Sequence, residues 1–250
     1  MRTVVWVSAG AASAVAAHLA LRQGPCTLAF CDTGSEDVDT YRFLEDVQEW
    51  LGQPIERLRS TEYKNVDDVI ARTRFMAGHH GARCSIELKR RVRFQFQRPD
   101  DRQAFGYTVD ELDRAKRTEE SEPAINWWWP LIEAGLTKSD CLAMVERAGL
   151  TLPRMYAMGY PNANCVGCVR ANNFTYWNLI RQDFPDVFAT RAAQERELGH
   201  AICKDANGPV FLDELDPARG KGRPVPDYEC SIMCAIAESL PPVADERTTE

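Results

Sequence analysis

The opening of this chain constrains its fold more than any other stretch. An apolar run, TVVWVS at 3–8, breaks into the small-residue turn SAGAAS at 8–13 and resumes as the helical stretch AVAAHLALR. A buried strand that turns sharply through Gly and Ala into a helix leaves backbone N–H groups and a positive helix end facing outward, where phosphate is favoured. Ser8 and Ser13 add hydroxyl donors. The same turn also suits plain helix–strand packing, and it lacks both the spaced glycines of GxGxxG and the Gly-Lys-Ser/Thr ending of the common P-loop.

The alternation continues. PCTLAFCD at 25–32 reads as a second buried strand ending in Asp32, Thr33 and Gly34, and a helix follows from Asp37 to Leu51 with Tyr41, Leu44, Val47 and Leu51 on one face. PIERLRS at 54–60 reads as a third strand, 65–75 and 85–97 as helices, and 103–106 as a strand before a charged helix at 109–117. Residues 126–150 read as a strand, a turn and a helix capped at Thr137 and ended by Gly149. Strands alternating with helices across short turns predict an α/β fold, a Rossmann-like parallel sheet with helices on both faces. Beyond Pro153 the composition shifts to PNANCVGCVRANN, then helices at 174–182 and 187–198, and a Pro, Gly and charge-rich stretch at 205–227 leading into a short cysteine-bearing helix. The expected organisation is therefore a nucleotide-binding α/β domain at 1–152, a C-terminal cysteine-bearing helical lobe at 153–240 and a disordered tail at 241–250.

With 250 residues and a formal net charge of −7, the chain can bury a sizeable core but is a poor general coat for nucleic acid. Basic residues do cluster, at Lys89, Arg90, Arg91 and Arg93 and at Arg219, Lys221 and Arg223, as a solvated face or a local basic groove. No stretch approaches the roughly 20 apolar residues of a membrane helix, and the start carries no secretory pattern, so a cytoplasmic protein without a membrane partner is expected. Three consecutive tryptophans, Trp127 to Trp129, read as core and subunit-interface aromatics, and with them a homo-oligomer is expected.

Nine cysteines in such a chain stay reduced, which favours metal binding or redox chemistry over disulfides. Cys26, Cys31 and Cys141 sit in apolar periodic segments and read as core residues. Cys165 and Cys168 form a CxxC in a Gly and Asn-rich turn, Cys230 and Cys234 add a CxxxC, and Cys84 stands beside the basic helix. Together these thiols suffice for a tetrahedral zinc or an iron–sulfur cluster, between which spacing does not choose.

Taken in order, SAGAAS, CDTGSE, CSIELKR at 84–90, WPLIEAGLTKSD and CVGC resemble the phosphoadenylyl-sulfate reductase family of the adenine-nucleotide alpha-hydrolase-like, PP-loop enzymes. The resemblance covers residues 3–170. It implies that Ser8, Gly10, Ala11 and Ser13 hold the phosphate of ATP or another adenine nucleotide, that Asp32 lies near the adenosine, and that Lys89 faces the anionic end of the substrate. It implies a four-iron cluster on Cys84, Cys165 and Cys168, with Cys234 or Cys230 as fourth ligand, in preference to zinc. The family's reductases carry a late Glu-Cys-Gly nucleophile, which Glu229-Cys230-Ser231 resembles without the glycine. The loop has Ala12 where the pyrophosphatase form SGGxDS has Asp, which bears on any Mg2+-assisted cleavage of ATP.

Two activities and one binding role follow. In a reductase a thiolate such as Cys230, in the field of Arg219 and Arg223, attacks the sulfur of an activated sulfate. In a sulfurtransferase, ATP adenylates a nucleic-acid base or small molecule guided by the basic residues at 89–93, and sulfur from a thiol or sulfur donor displaces AMP. The third reading is a non-catalytic nucleotide-binding module with structural zinc.

Overall fold

Alternation along the first strand decides how the sheet is covered. In β1 (Thr3–Trp6), Val4 and Trp6 point to one side, while Val5 and the following Val7 point to the other, and all four are buried. The computed structural model describes residues 1–78, 81–163 and 165–223. After β2 (Cys26–Cys31) and β3 (Ile55–Leu58), a short hairpin of β4 (Ala77–Gly78) and β5 (Gly81–Ala82) stands apart, and β6 (Arg102–Phe105) and β7 (Asn126–Trp128) return to the sheet. The five sheet strands are parallel throughout, in the order β3-β2-β1-β6-β7. Strand order therefore reverses between β1 and β6, and the crevice beyond their carboxyl ends is where doubly wound sheets take ligands.

Helices flank this sheet. Val5, Val7, Leu28 and Phe30 pack against α1 (Ala11–Gln23), α2 (Asp39–Leu51) and the helix Lys138–Arg147. The alanines of α1 at 14, 16 and 17 are completely buried, and their small side chains let the helix lie close to the strands. On the other face Val4, Trp6 and Ala29 meet Phe96. Phe96 belongs to α4, a helical run built from Arg83–Ser85, a π-helical turn Ile86–Arg90 and Arg91–Phe96, preceded by α3 (Val66–Thr73). Thr137 caps its helix as expected, in a reciprocal capping box with Asp140.

The amino-terminal ends of the neighbouring strands β1 and β6 are tied by one ion pair. Arg2 donates from Nε and Nη2 to the buried Asp101 at 2.9 and 2.5 Å, and Arg98 N donates to the same carboxylate at 2.7 Å. The bond from Arg2 holds the Asp101 carboxyl below the usual carboxylate range. Because the folded value lies below the unfolded one, this pair stabilises the protein above about pH 4 and is lost as pH falls through the folded value. Asp101→Asn is expected to cost about 1–3 kcal/mol near neutral pH and to flatten the acid limb of stability, as read by denaturant melts from neutral to acid pH.

From Pro153 onward the chain builds a largely helical lobe around its own buried cluster, including Tyr160, Trp177, Ile180 and Leu212. Its main helices are Phe174–Asp183 and Pro185–Leu198, followed by a hairpin of β8 (Cys203–Asp205) and β9 (Gly208–Val210), where sequence reading expected only a Pro, Gly and charge-rich stretch. Arg154 joins the lobe to the sheet through a two-pronged bond to the buried Asp37, at 2.7 and 2.6 Å. Cys230, Cys234 and the tail expected at 241–250 lie outside the described residues. The tryptophan triplet splits by strand alternation: Trp128 is buried in the core, while Trp127 stacks on Trp129 at 5.5 Å and Trp129 on Tyr107 at 5.0 Å. Among the described residues, no helix is long and apolar enough to cross a membrane.

Candidate functional site

The first turn lies at the carboxyl end of β1 and forms the floor of a cleft of about 840 Å3, lined by Ser8, Gly10, Ala11, Ala12 and Ser13. No side chain caps α1 at Gly10, so the first backbone N–H groups of this 13-residue helix carry the positive end of its dipole without a side-chain acceptor. Ser8 is exposed, but Ser13 is buried: its hydroxyl accepts from Ser8 N at 2.9 Å and donates to Gly10 O at 2.9 Å. Ser13 thus staples the loop, and the exposed Ser8 also donates its hydroxyl to Ser13 Oγ at 3.2 Å. Gly106, at the end of β6, packs directly under the loop, where a Cβ would lie 2.8 Å from Ser13 Cα. On the opposite side the Tyr156 hydroxyl approaches Gly10 to 3.1 Å of where a Cβ would stand.

Ala9 takes the left-handed backbone conformation, φ 58°, inside this loop. Ala9→Gly relieves about 1–2 kcal/mol of left-handed strain but adds about 0.4–1 kcal/mol of unfolded-state entropy, so a small net gain in stability is expected. A β-branched side chain does not tolerate that φ, and Ala9→Val is expected to lose more than the glycine variant gains; thermal melts of the two variants check the order.

Lys89 and three cysteines reach the same cleft from other elements. Lys89 sits on the π-helical turn of α4, and Cys84 one turn before it, while Cys165 and Cys168 come from the loop after Gly159; all four line the cleft. Burial alone would pull the Lys89 ammonium down, yet Cys165, Glu36, Cys168 and Cys31 outweigh it and hold the group above the ordinary lysine value. Lys89 is thus a fixed cation at the wall.

The Cys165-Val166-Gly167-Cys168 loop is held from four sides. Val166 N donates to Ser35 O at 3.0 Å, Cys168 N donates to the Tyr176 hydroxyl at 2.8 Å, and the buried Arg191 donates from Nε to Gly167 O at 3.1 Å and from Nη1 to Asp67. Thr33 Oγ1 lies 3.0 Å from Cys165 Sγ and donates to Glu36 Oε1 at 2.9 Å. Gly167 has φ 66°, and a Cβ there would meet Val187 at 2.5 Å, so a loop of this shape requires glycine between its cysteines. Burial pushes the Cys165 thiol up to about 12, against the pull of Lys89, and burial also raises Cys84.

Other residues singled out in the sequence have different places. Asp32 does not line the cleft: its buried carboxylate accepts from Arg59 at 2.9 and 2.6 Å, from Tyr41 at 3.0 Å and from Gly34 N at 2.9 Å, and so shapes the turn that presents Thr33 to Cys165. Arg219 pairs with Asp205 at 2.8 Å and Arg223 with Asp183 at 2.9 Å, so both are ion pairs of the lobe. Cys31, read as a core residue, is half-buried and lines a second cleft beside Lys89, its thiol raised by burial to about 11. Cys141 and Cys203 are buried in the core. Gly106, Tyr156 and Arg191 were not marked by any motif, whereas Thr33 and Glu36 lie within the CDTGSE segment, which did not single out their contact with Cys165.

The fold and the cleft define a doubly wound α/β protein with its site at the strand-order switch. The chain matches no protein-family model and no curated protein. The donors at the wall are soft free thiols, which suit iron or zinc by chemistry. Among the described residues, however, no three His, Cys, Asp or Glu side chains stand close enough together to hold a metal ion.

Proposed function

We propose that this chain is an adenine-nucleotide-binding enzyme of sulfur chemistry, similar to phosphoadenylyl-sulfate reductases. The observation that carries the reading is that the first turn, Lys89 and the thiols of Cys84, Cys165 and Cys168 all open on one cleft at the strand switch. In this reading the backbone N–H groups at the start of α1 and the Ser8 hydroxyl bind nucleotide phosphate, and Lys89 balances the charge of the transferred anionic group. Ser13 and Gly106 hold the loop in shape, and Asp32 and Thr33 orient the Cys165 side.

Cys84, Cys165 and Cys168, not gathered closely enough for a single metal ion, would hold the wider frame of a thiolate-bound iron–sulfur cluster, with a fourth ligand from Cys230 or Cys234. Such a cluster supplies a redox-active, Lewis-acidic neighbour to the anionic group. In the reductase route a thiolate bonds to the sulfur of an activated sulfate and the sulfur–oxygen bond breaks, its electron pair leaving on the nucleotide phosphate. Lys89, kept protonated, stabilises the charge that develops there. A second reading, an ATP-dependent sulfurtransferase, is favoured by the basic cleft that adjoins the first.

Anaerobically purified protein is incubated with phosphoadenylyl sulfate and a thiol, and separately with ATP and candidate acceptors. Sulfite release supports the reductase, whereas AMP and pyrophosphate from ATP support the transferase. Failure to bind either nucleotide overturns both.

A further inference from the structure

The second cleft, about 920 Å3, opens over the carboxyl ends of β1 and β2 and shares eight lining residues with the first, among them Trp6, Ser8, Lys89 and Arg170. Its charged lining is one-sided: Lys89, Arg90, Arg93, Arg170 and Lys204 against Glu122. Glu122 is already engaged by Arg90 at 2.9 Å and by Arg93. Among the described residues, Lys89, Arg170 and Lys204 have no carboxylate ion pair, and Arg170 and Lys204 are exposed. A chain of net charge −7 that gathers unpaired cations in one cavity offers a local site for an anion.

We infer that this cleft binds a second, phosphate-bearing small molecule beside the nucleotide. The anion site goes beyond the function proposed above, and only its role as co-substrate rests on that reading. A few convergent cations in a walled cavity match one phosphate group, whereas a nucleic-acid backbone is neutralised by a stripe of roughly 6–10 contacts. The walls include the β4–β5 hairpin, α4 with Glu122, the segment 169–172 that carries Arg170, and the His200–Lys204 segment. A phosphate seated between Lys89 and Arg170 would lie at the shared border of the two clefts, so that a group passing between the two ligands need not cross solvent.

The test is calorimetric titration of the full chain with phenyl phosphate, with and without saturating ATP, alongside a ten-residue single-stranded oligonucleotide. Expected are one phenyl phosphate per chain both with and without ATP, and affinity weakened about tenfold in Lys204→Glu and in Arg170→Ala. ATP affinity is expected to be unchanged in Lys204→Glu, which distinguishes lost charge from lost fold. Displacement of phenyl phosphate by ATP would merge the two clefts into one nucleotide site and overturn the inference while leaving the proposed function standing. Phenyl phosphate bound by a protein that takes no ATP would support the anion site and overturn the proposed function instead. Tight oligonucleotide binding with steep salt dependence would overturn the small-molecule assignment in favour of a polymer.

Discussion

Gly106→Ala is expected to abolish nucleotide binding and to lower stability by about 1–3 kcal/mol, the usual cost of overpacking a tight site. The added Cβ would lie 2.8 Å from Ser13 Cα and 2.9 Å from both the carbonyl carbon and the oxygen of Ala12. These are backbone atoms of the first turn of α1, so no side-chain rotation relieves the contact. The loop has to move, and Ser13, which ties Ser8 N to Gly10 O, moves with it. Site geometry tolerates about 0.5 Å, so a displacement of this size removes the aligned N–H groups even if the fold survives. Thermal melting gives the stability loss, and titration with ATP gives the loss of affinity. A folded Gly106→Ala protein that binds nucleotide like the wild type would separate the loop from the binding site.

The second large effect concerns the thiols. Cys84→Ser, Cys165→Ser and Cys168→Ser are each expected to strip iron and labile sulfide from anaerobically purified protein. Losing an outer hydrogen-bond partner of a ligand already costs about 10–100-fold in metal affinity, and losing the ligand itself costs more. Cys26→Ser is the control: Cys26 begins β2, at the opposite end of the strand from Cys31 and the clefts, and is expected to retain the metal. Gly167→Ala is expected to behave like the cysteine variants, because it forces a left-handed residue against Val187 between the two cysteines. Metal and sulfide counts with a visible spectrum read all five variants. Equal metal content in all of them would remove the cluster from the account.

The strands and most helices were legible because they obey simple periods. β2 was expected at 25–32 and spans Cys26–Cys31, and the helix expected at 37–51 spans Asp39–Leu51. The hairpin Cys203–Asp205 and Gly208–Val210 was hidden because three-residue strands carry no usable alternation and Pro209 reads as a breaker. At the site, the first turn and the CxxC were visible as local patterns. The residues that hold them were not, since Arg191 is one of many helix arginines until folding buries it against Gly167, 24 positions away in the chain. Gly106 left a faint signal, a glycine as the last residue of the strand expected at 103–106, which ends at Phe105. Asp32 shows the reverse case: its motif was legible, but its carboxylate is engaged by Arg59 and Tyr41, a fact no local pattern contains.

The central claim is that the turn at 8–13 is the phosphate site of an adenine nucleotide. Amide hydrogen exchange with and without ATP tests it most directly, since it reports both binding and place. The account predicts new protection confined to the first loop and start of α1, to the segment after Gly106 and to the neighbourhood of Lys89. Unchanged exchange at saturating ATP, or protection elsewhere with the first loop unaffected, would contradict it.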